Sequence, residues 1–598
     1  MKNTKIIKLL KQAAKKSIIN YIDIYFAESI CNIENKKIFI SIVCLSHNFQ
    51  KGNSCLPISK INPKLFNNNN LIKKIFDIIG NNINWNLKLK SSKIIGDKKN
   101  FLNKPIILNN KKLYLNKIWK EEVQIFEFIK KNININTKIN NKKYNKIIYK
   151  LSNNENYDLT QKKAISMALK RKITFIIGGP GTGKTTTIFT ILKYFIKLSK
   201  PNTKIKLLAP TGKATFRLKE SIKNSIKLDK LLNKQIINYK IETIHKFLEK
   251  NKKNEKENII NKKKEFLNII DLIIIDESSM VDSYIMSKLL NIINRDTKII
   301  FVGDPNQLYP VKHGSFLKDV SYFYNITKKQ NNNFIRNNIC KLKENYRFSS
   351  KSDIHNLAVA IYKKEIHKIY KIINKKNSKI IFFDVKSDYE YNNMIIKIVN
   401  NYKLYWLSVK NELNPKKIIK IFNQNKVLCM MRIGKLGIKK INKKIEKQMM
   451  NENIIQYDKI NDWYIGKPIM IIKNNNELKL SNGDIGITIK DKNKEMSVCF
   501  IKNNNIKKVK TYLINEYETA WAITVHKSQG SEFENISLII PEKFSNFLTK
   551  ELIFTAVTRA KKTVSIYSRK KILNKIINNE GRRDSGMVEK FLYLNKRK

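Results

Sequence analysis

Acidic residues are the first scarcity in this 598-residue chain: 48 Asp and Glu stand against 118 Lys and Arg, giving a formal net charge of +70 at pH 7. Such a balance suits a polyanionic partner, because basic side chains gain affinity for nucleic acid by releasing its condensed counterions. The charge forms no obvious stripe. Lysine, asparagine and isoleucine recur throughout, including the tract Asn67 to Asn70, in the manner of compositional drift. Arginine is scarcer still, 11 residues against 107 lysines, so each guanidinium is informative: its planar fork serves bidentate phosphate sites that lysine cannot copy. Six dispersed cysteines (Cys31, Cys44, Cys55, Cys340, Cys429, Cys499) contain no C-x-x-C, which argues against a disulfide framework and fits a reducing compartment. Cys44, His47 and Cys55 lie close in sequence, but their irregular spacing favours ordinary thiols over a zinc site. No apolar run approaches the roughly 18 residues of a membrane span. Residues 1–21 have helical apolar spacing interrupted by lysines and lack the continuous apolar core of a signal peptide, so a cytoplasmic protein with no membrane partner is expected.

Glycine is rare and unevenly used. Of 18 glycines only Gly52, Gly80 and Gly96 precede residue 178, whereas Gly178, Gly179, Gly181 and Gly183 crowd into Gly178-Gly179-Pro180-Gly181-Thr182-Gly183-Lys184-Thr185. The apolar, β-rich run Ile173 to Ile177 precedes this loop, and a helix can follow it. A strand, a glycine turn and a helix N-terminus bind a triphosphate, because backbone N–H groups and the helix dipole converge on the anion. Lys184 would reach the β- and γ-phosphates of ATP, and Thr185 would offer its hydroxyl to Mg²⁺. Leu272 to Ile275 is a second apolar strand, ending in Asp276 and Glu277. Both carboxylates fall at the carboxyl edge of the sheet, Asp276 to hold Mg²⁺ and Glu277 to orient or deprotonate the attacking water.

Residues 1–115 read as a small helical domain without a chemical motif and 116–150 as a linker, with Lys130 to Lys146 a surface helix or loop. From 151 the strands Ile173 to Ile177, Ile205 to Ala209, Leu272 to Ile275 and Lys298 to Val302 alternate with helical segments, the pattern of a parallel sheet with crossover helices. Such a region is expected over 151–340 and a second over 341–598. The second is interrupted at about 460–518 by short strands at Pro468 to Ile472, Glu477 to Leu480, Gly486 to Ile489 and Val498 to Ile501, with Asn482-Gly483 as a turn: a small inserted β-barrel.

Further segments fall in a recognisable order: Leu208 to Ala214, Thr243-Ile244-His245, Ile275 to Asp282, Val302 to Leu308, Asn345-Tyr346-Arg347-Phe348, Thr524 to Phe533 and Phe554 to Ala560. They resemble the successive motifs of superfamily 1 helicases. With Cys429 to Gly434, Trp463 to Pro468 and Asn482 to Gly486, they resemble more specifically the RecD family, the alpha chain of exodeoxyribonuclease V, the RecBCD enzyme. The likeness is dense over about 155–570 and thin before it. It implies two RecA-like P-loop NTPase core domains, an SH3-like barrel insert in the second, and a mainly helical N-terminal domain.

The resemblance also implies roles for single residues. Gln161 corresponds to the residue that recognises adenine and Gln307 to the sensor of the γ-phosphate. Arg347 and Arg559 correspond to arginines reaching across the cleft from the second core domain. Lys184, Glu277, Gln307, Arg347 and Arg559 would then carry hydrolysis. Gln161 and Gly178 to Thr185 would hold the nucleotide. Thr211, Lys213, Thr243, His245, Thr524, His526, Lys527 and Ser528 would line a track for single-stranded DNA, although in this family Lys527 and Gln529 also lie near the interdomain cleft, where they could serve ATP instead. The implied activity is ATP-dependent 5′ to 3′ unwinding from a duplex end, in a heterotrimer with RecB-like and RecC-like chains, serving double-strand-break repair and recombination. A stand-alone superfamily 1 DNA or RNA helicase, or a structural subunit with a decayed ATPase, are the competing readings. No further carboxylate cluster is evident in the sequence, so nuclease chemistry is expected in a partner chain, with residues 1–115 as the docking surface.

Overall fold

The computed structural model describes residues 2–32, 35–80, 83–137, 140–200, 202–228, 239–251, 270–327, 335–347, 352–455, 462–490, 495–502 and 505–596. Phe348, part of one quoted motif, lies outside the described residues.

At the N-terminus the helices Lys2–Lys15, Tyr21–Ile30, Lys36–Gln50, Asn70–Ile79 and Trp85–Lys90 share one apolar core. Ile6, Leu10, Ala13 and Ala14 recur at helical spacing and are buried, leaving the lysines outside. A small sheet completes this part: β1 (Leu56–Pro57), β2 (Ile95–Gly96), β3 (Ile106–Asn109) and β4 (Lys112–Leu115), ordered β1-β4-β3-β2.

The first large sheet holds β5 (Ile173–Ile177), β6 (Ile205–Ala209), β7 (Tyr239–Thr243), β8 (Leu272–Ile275), β9 (Lys298–Gly303) and β10 (Ile339–Lys341), ordered β10-β5-β9-β8-β6-β7 and parallel throughout. The inner strands have both faces covered, which is why β5, β8 and β9 are almost wholly apolar; the edge strand β7, with Lys240 exposed, is not. Ile173, Phe175, Ile273 and Phe301 pack on one side, and Ile176, Ile274, Ile300 and Val302 on the other. All six carboxyl ends meet at one edge, where the motif-bearing loops emerge.

Two expectations about boundaries change here. Residues 116–150 are no simple linker: helix Asn116–Asn132 places Ile125, Phe126 and Ile129 in the core of this sheet, and helix Asn141–Ser152 places Ile147 and Leu151 on its other face. The chain end returns too. Helix Met587–Lys596 buries Met587 and Phe591 in the same core, the Phe591 ring 5.6 Å from that of Phe323.

The second half carries β11 (Ile380–Asp384) and β12 (Asn425–Cys429). Next come β13 (Pro468–Ile471), β14 (Ile485–Lys490), β15 (Met496–Lys502), β16 (Asn505–Lys510) and β17 (Tyr517–Thr519), and finally β18 (Ala522–Thr524), β19 (Phe533–Ile539) and β20 (Ala560–Ser568). β11-β20-β19-β12-β18 form a second parallel sheet. Between β12 and β18 lies an antiparallel sheet, β16-β15-β14-β13-β17, around Ile469, Ile471, Leu480, Val498 and Phe500. Glu477 to Leu480, expected as a strand, is a turn instead. Lys479 takes a left-handed φ of +47°, and a single bridge joins Asn475 to Leu480. The insert is seated on the second parallel sheet by fully buried Trp521. Its ring lies 5.0 Å from that of Tyr402, and its indole N–H donates to the Tyr464 hydroxyl at 3.0 Å. Among the described residues no helix is long and apolar enough to cross a membrane.

Candidate active site

The phosphate loop joins β5 to helix Lys184–Leu198. Gly181 and Gly183 hold φ values of +82° and +74°, a region that only glycine enters freely. A Cβ on Gly181 would stand 2.6 Å from both Arg347 Cβ and Asn345 Oδ1, and one on Gly183 would strike the Gln161 amide. A Cβ on Gly179 would meet nothing within 4 Å, so this stretch of backbone borders open space. The Lys184 ammonium lies back over the loop and donates to the carbonyls of Gly178 at 2.9 Å and Gly179 at 2.8 Å. Thr182 caps the turn through the Gly179 carbonyl at 2.9 Å, while Thr185 is half-buried on the first helical turn.

Asp276 and Glu277 follow β8 at the same edge. Asp276 Oδ1 accepts the Glu277 amide at 2.8 Å. Burial, and next the neighbouring Glu277, push the Asp276 carboxyl up to about 7, against the pull of that amide and of Lys184. Glu277 itself has a left-handed φ of +49°, a strained position for a side chain of this kind, and its buried Oε2 has no hydrogen-bond partner. From β9, Asp304 accepts the Gln307 amide at 3.2 Å, and Gln307 Oε1 likewise has no partner. Burial raises the Asp304 pKa, with the Lys184 charge opposing it.

Arg347 does not come from the second sheet. It follows β10, the edge strand of the first, and its segment is laid on the phosphate loop: the Tyr346 amide donates to Gly181 O at 2.8 Å and the Asn345 side chain to Pro180 O at 3.0 Å. The Tyr346 hydroxyl donates to Asp158 at 2.9 Å and lies 3.1 Å from Gln161 Oε1, which fixes buried Gln161 beside Gly183. Arg559, in the turn before β20, does belong to the second sheet. It is 5% exposed and its Nε donates to Thr555 O at 3.2 Å.

A third arginine joins them, one that the motif spacing does not single out. Arg217, on helix Gly212–Leu228, stands 3.6 Å from Glu532 Oε1, the same oxygen that takes the Arg347 guanidinium, while Lys561 lies 3.3 Å from Oε2. Burial lowers the pKa of both Arg217 and Arg559, and the charge of Glu277 opposes that shift in each. Three of 11 arginines therefore share one electrostatic neighbourhood with Glu277 and Glu532. The scarcity of arginine was the available signal for Arg217. Glu532 carried none beyond its motif.

The residues expected to contact DNA divide. Thr211 caps helix Gly212–Leu228, its Oγ1 accepting the Ala214 amide at 3.2 Å. Lys213 lies along the Asn482-Gly483 turn of the insert, where burial lowers its pKa to about 8 despite Asp484. Lys527 donates to Asn482 from the other side, and Thr524 Oγ1 accepts the Lys527 amide at 3.4 Å. These four residues meet at the junction of both sheets with the insert. Thr243 ends β7, with Oγ1 accepting the Lys246 amide at 3.3 Å, and His245 and His526 are exposed. Ser528 must be removed from the track. It is fully buried and its hydroxyl donates to Val525 O at 2.7 Å, capping its own turn.

Known proteins align with these features. Residues 15–114 match the family profile described as RecBCD enzyme subunit RecD, N-terminal domain. Residues 161–313 match an AAA domain, and 519–567 a UvrD-like helicase C-terminal domain. The RecBCD enzyme subunit RecD of Buchnera aphidicola subsp. Acyrthosiphon pisum is 41% identical over 604 residues, covering 96% of this chain and 98% of that one. The RecBCD enzyme subunit RecD of Haemophilus influenzae is 30% identical, covering 81% and 80%. A Pif1 helicase from Bacteroides, crystallised with ADP-AlF3 and ssDNA, aligns over 71% of this chain and 94% of its own, with 17% identity and a TM-score of 0.36.

Proposed function

Since the chain belongs to the RecD family of RecBCD enzyme subunits, we propose that it is an ATP-driven DNA helicase whose motor is the cleft between its two parallel sheets. The observation that carries this reading is the convergence of Lys184, Asp276, Glu277, Gln307, Arg347 and Arg559 on one cleft, from two sheets and five separate loops.

The residues present fit a magnesium nucleotide. Gly179 borders open space, and Glu277 Oε2 and Gln307 Oε1 are buried acceptors without partners, suited to a water and its hydrogen-bonding environment. Thr185 and Asp276 would hold Mg²⁺, which supplies charge neutralisation at the β- and γ-phosphates. Lys184 exchanges its two loop carbonyls for phosphate oxygens. Glu277 takes the proton of the attacking water, and Gln307 holds that water or the γ-phosphate in place. Arg347 and Arg559 stabilise charge on the transferring group, Arg559 only when the second sheet closes on the first. Fingers of this kind are worth on the order of 10³ to 10⁵ in rate.

Closure and reopening alternate the grip on a single strand running past Thr211, Lys213, Thr243, His245, Thr524, His526 and Lys527. We read the antiparallel insert as an SH3-like barrel flanking that track, and residues 1–115 as the docking domain for RecB-like and RecC-like chains. DNA cleavage is assigned to a partner, and movement to the 5′ to 3′ direction. Strand displacement on substrates with 5′ or 3′ overhangs, with the chain alone and with its partner chains, tests all of this. The 5′-tailed duplex should open with ATP and Mg²⁺, and Lys184→Ala should abolish opening. Unwinding by Lys184→Ala at the parental rate would refute the motor assignment.

A further inference from the structure

Helix Gly212–Leu228 carries two cations one turn apart. Lys213 lies against the Asn482-Gly483 turn at the DNA junction, and Arg217, at i+4 on the same face, lies against Glu532 at the hydrolytic site. The helix is held at that end by Thr211 and by Gly530, whose Cα region passes the Ala214 backbone closely enough that an added Cβ would sit 3.9 Å away. A helix is stiff over a single turn, about 5.4 Å, so a shift imposed at Lys213 arrives at Arg217. At Arg217 the partner is shared. Arg217 Nη1 and Arg347 Nη2 both address Glu532 Oε1, with Lys561 on the other oxygen. An ordinary surface pair would have one cation per carboxylate and full solvent access; here the Glu532 side chain is 20% exposed and serves three cations, two from the first sheet and one from the second.

We propose that Arg217 is a positioning residue that couples the nucleic-acid track to hydrolysis, by competing with Arg347 for Glu532 Oε1. A strand bound at Lys213 displaces the helix and changes the hold of Glu532 on Arg347. The Arg347 guanidinium, anchored beside the phosphate loop, is thereby released toward the γ-phosphate or withheld from it. The inference deepens the helicase reading and rests on it.

The test uses the full-length chain, Arg217→Gln, Arg217→Lys, Glu532→Gln and the Arg217→Gln/Glu532→Gln double variant. ATP turnover is measured with and without saturating oligo(dT), together with the Kd for that oligonucleotide and thermal unfolding. Arg217→Gln should lower the ratio of DNA-stimulated to DNA-free turnover about tenfold, with the oligo(dT) Kd changed less than about twofold, and Arg217→Lys should recover part of the ratio. Because both residues act through one contact, the double variant should lose no more than the worse single variant. A ratio kept within about twofold of the parent in Arg217→Gln, or losses that multiply in the double variant, would overturn the proposal. Should Arg217→Gln fail to fold, Glu532→Gln must show the loss, and a retained ratio there overturns it equally. A parent chain whose turnover ignores oligo(dT) would instead refute the helicase reading itself.

Discussion

Replacing Gly181 by alanine adds one methyl group to the phosphate loop, and its consequences follow from the atoms around it. The φ of +82° costs an L side chain about 1 kcal/mol. The new Cβ would stand 2.6 Å from Arg347 Cβ and Asn345 Oδ1, where ordinary contact begins at 3.4 Å, a shortfall of roughly 0.8 Å on each. Neither neighbour can swing aside alone, because Tyr346 N is bonded to Gly181 O and the Asn345 amide to Pro180 O. The segment 345–347 must lift as a unit and carry the Arg347 guanidinium nearly an ångström from its place. Misplacement of that size costs about 10² in a step that depends on orientation. DNA-stimulated ATP turnover should therefore fall about a hundredfold in kcat, while nucleotide affinity changes little. Gly179→Ala is the contrasting case: its methyl meets no protein atom within 4 Å and projects into the space a phosphate would use, so it should weaken nucleotide binding first. Steady-state kinetics with a fluorescent-nucleotide Kd separates the two. A Gly181→Ala enzyme with kcat within about threefold of the parent, or one whose whole defect lies in nucleotide affinity, would refute the placement of Arg347 on this loop.

Ser528→Ala removes a buried donor to Val525 O and should cost about 1 kcal/mol of stability, read by thermal unfolding, while ssDNA affinity stays within about twofold; a fivefold loss of affinity would restore Ser528 to the track. Lys527→Ala and Lys213→Ala should each reduce the slope of log Kd against log salt by about 1, with no dependence on base sequence, in titrations of oligonucleotides of mixed composition. Lys298 is 2% exposed and donates to Ala168 O at 2.7 Å; burial lowers its pKa to about 7 from 10.5. Between those values the unfolded chain binds the extra proton, so this residue makes stability rise with pH over about 7 to 10, and Lys298→Met should flatten that rise in melting curves; an unchanged slope would refute the shift.

Four strands of the first parallel sheet are legible in the sequence because strands buried on both faces are short continuous apolar runs, as at Ile173–Ile177 and Leu272–Ile275. The edge strand Tyr239–Thr243, only partly buried, carries no such signal. The strands of the N-terminal sheet are not legible either. Two-residue strands such as Leu56–Pro57 and Ile95–Gly96 have too little length to show any period. Helix Asn116–Asn132 reads as linker because its outer face is lysine and asparagine like much of the chain; its membership of the first core depends on Ile125, Phe126 and Ile129 finding a partner that local sequence does not name. The same holds for Met587 and Phe591, whose i, i+4 spacing announces an apolar stripe but not the sheet it joins. At the site, the phosphate loop and Asp276-Glu277 are local and were legible as chemistry. The meeting of Arg217 with Glu532 spans more than three hundred residues, and no spacing rule could find it. Ser528 shows the opposite failure: a hydroxyl in a motif invites a ligand, yet it satisfies a carbonyl three residues back.

The returning chain end ties both halves and the N-terminal part together. Glu580 binds Lys550 at 2.6 Å and Lys364 at 3.0 Å, and the Gly581 amide donates to Glu551 at 3.3 Å, all on the second half. Two residues later Arg583 donates to Pro310 O at 2.7 Å and Gly314 O at 3.1 Å on the first half. The Asp584 carbonyl then accepts the Ser54 amide at 2.9 Å, and its carboxylate binds Lys60 at 2.7 Å in the N-terminal part. Residues 580–584 thus stitch three parts together within five positions, and Gly52 is packed so closely on Arg583 that a Cβ would lie 2.5 Å from Cζ. Large translation of one sheet past the other would tear this strap. Rotation about it would not. A rotation of the second half that keeps this strap intact would pivot close to it. A closure of this kind would act mainly on groups carried by the second sheet: Arg559 and Glu532 would move, while the Arg347 backbone would stay with the phosphate loop. The two arginines assigned to one transferring phosphoryl group therefore differ in kind. In the proposed motor, one would belong to the nucleotide cradle and the other would report that the cleft has shut.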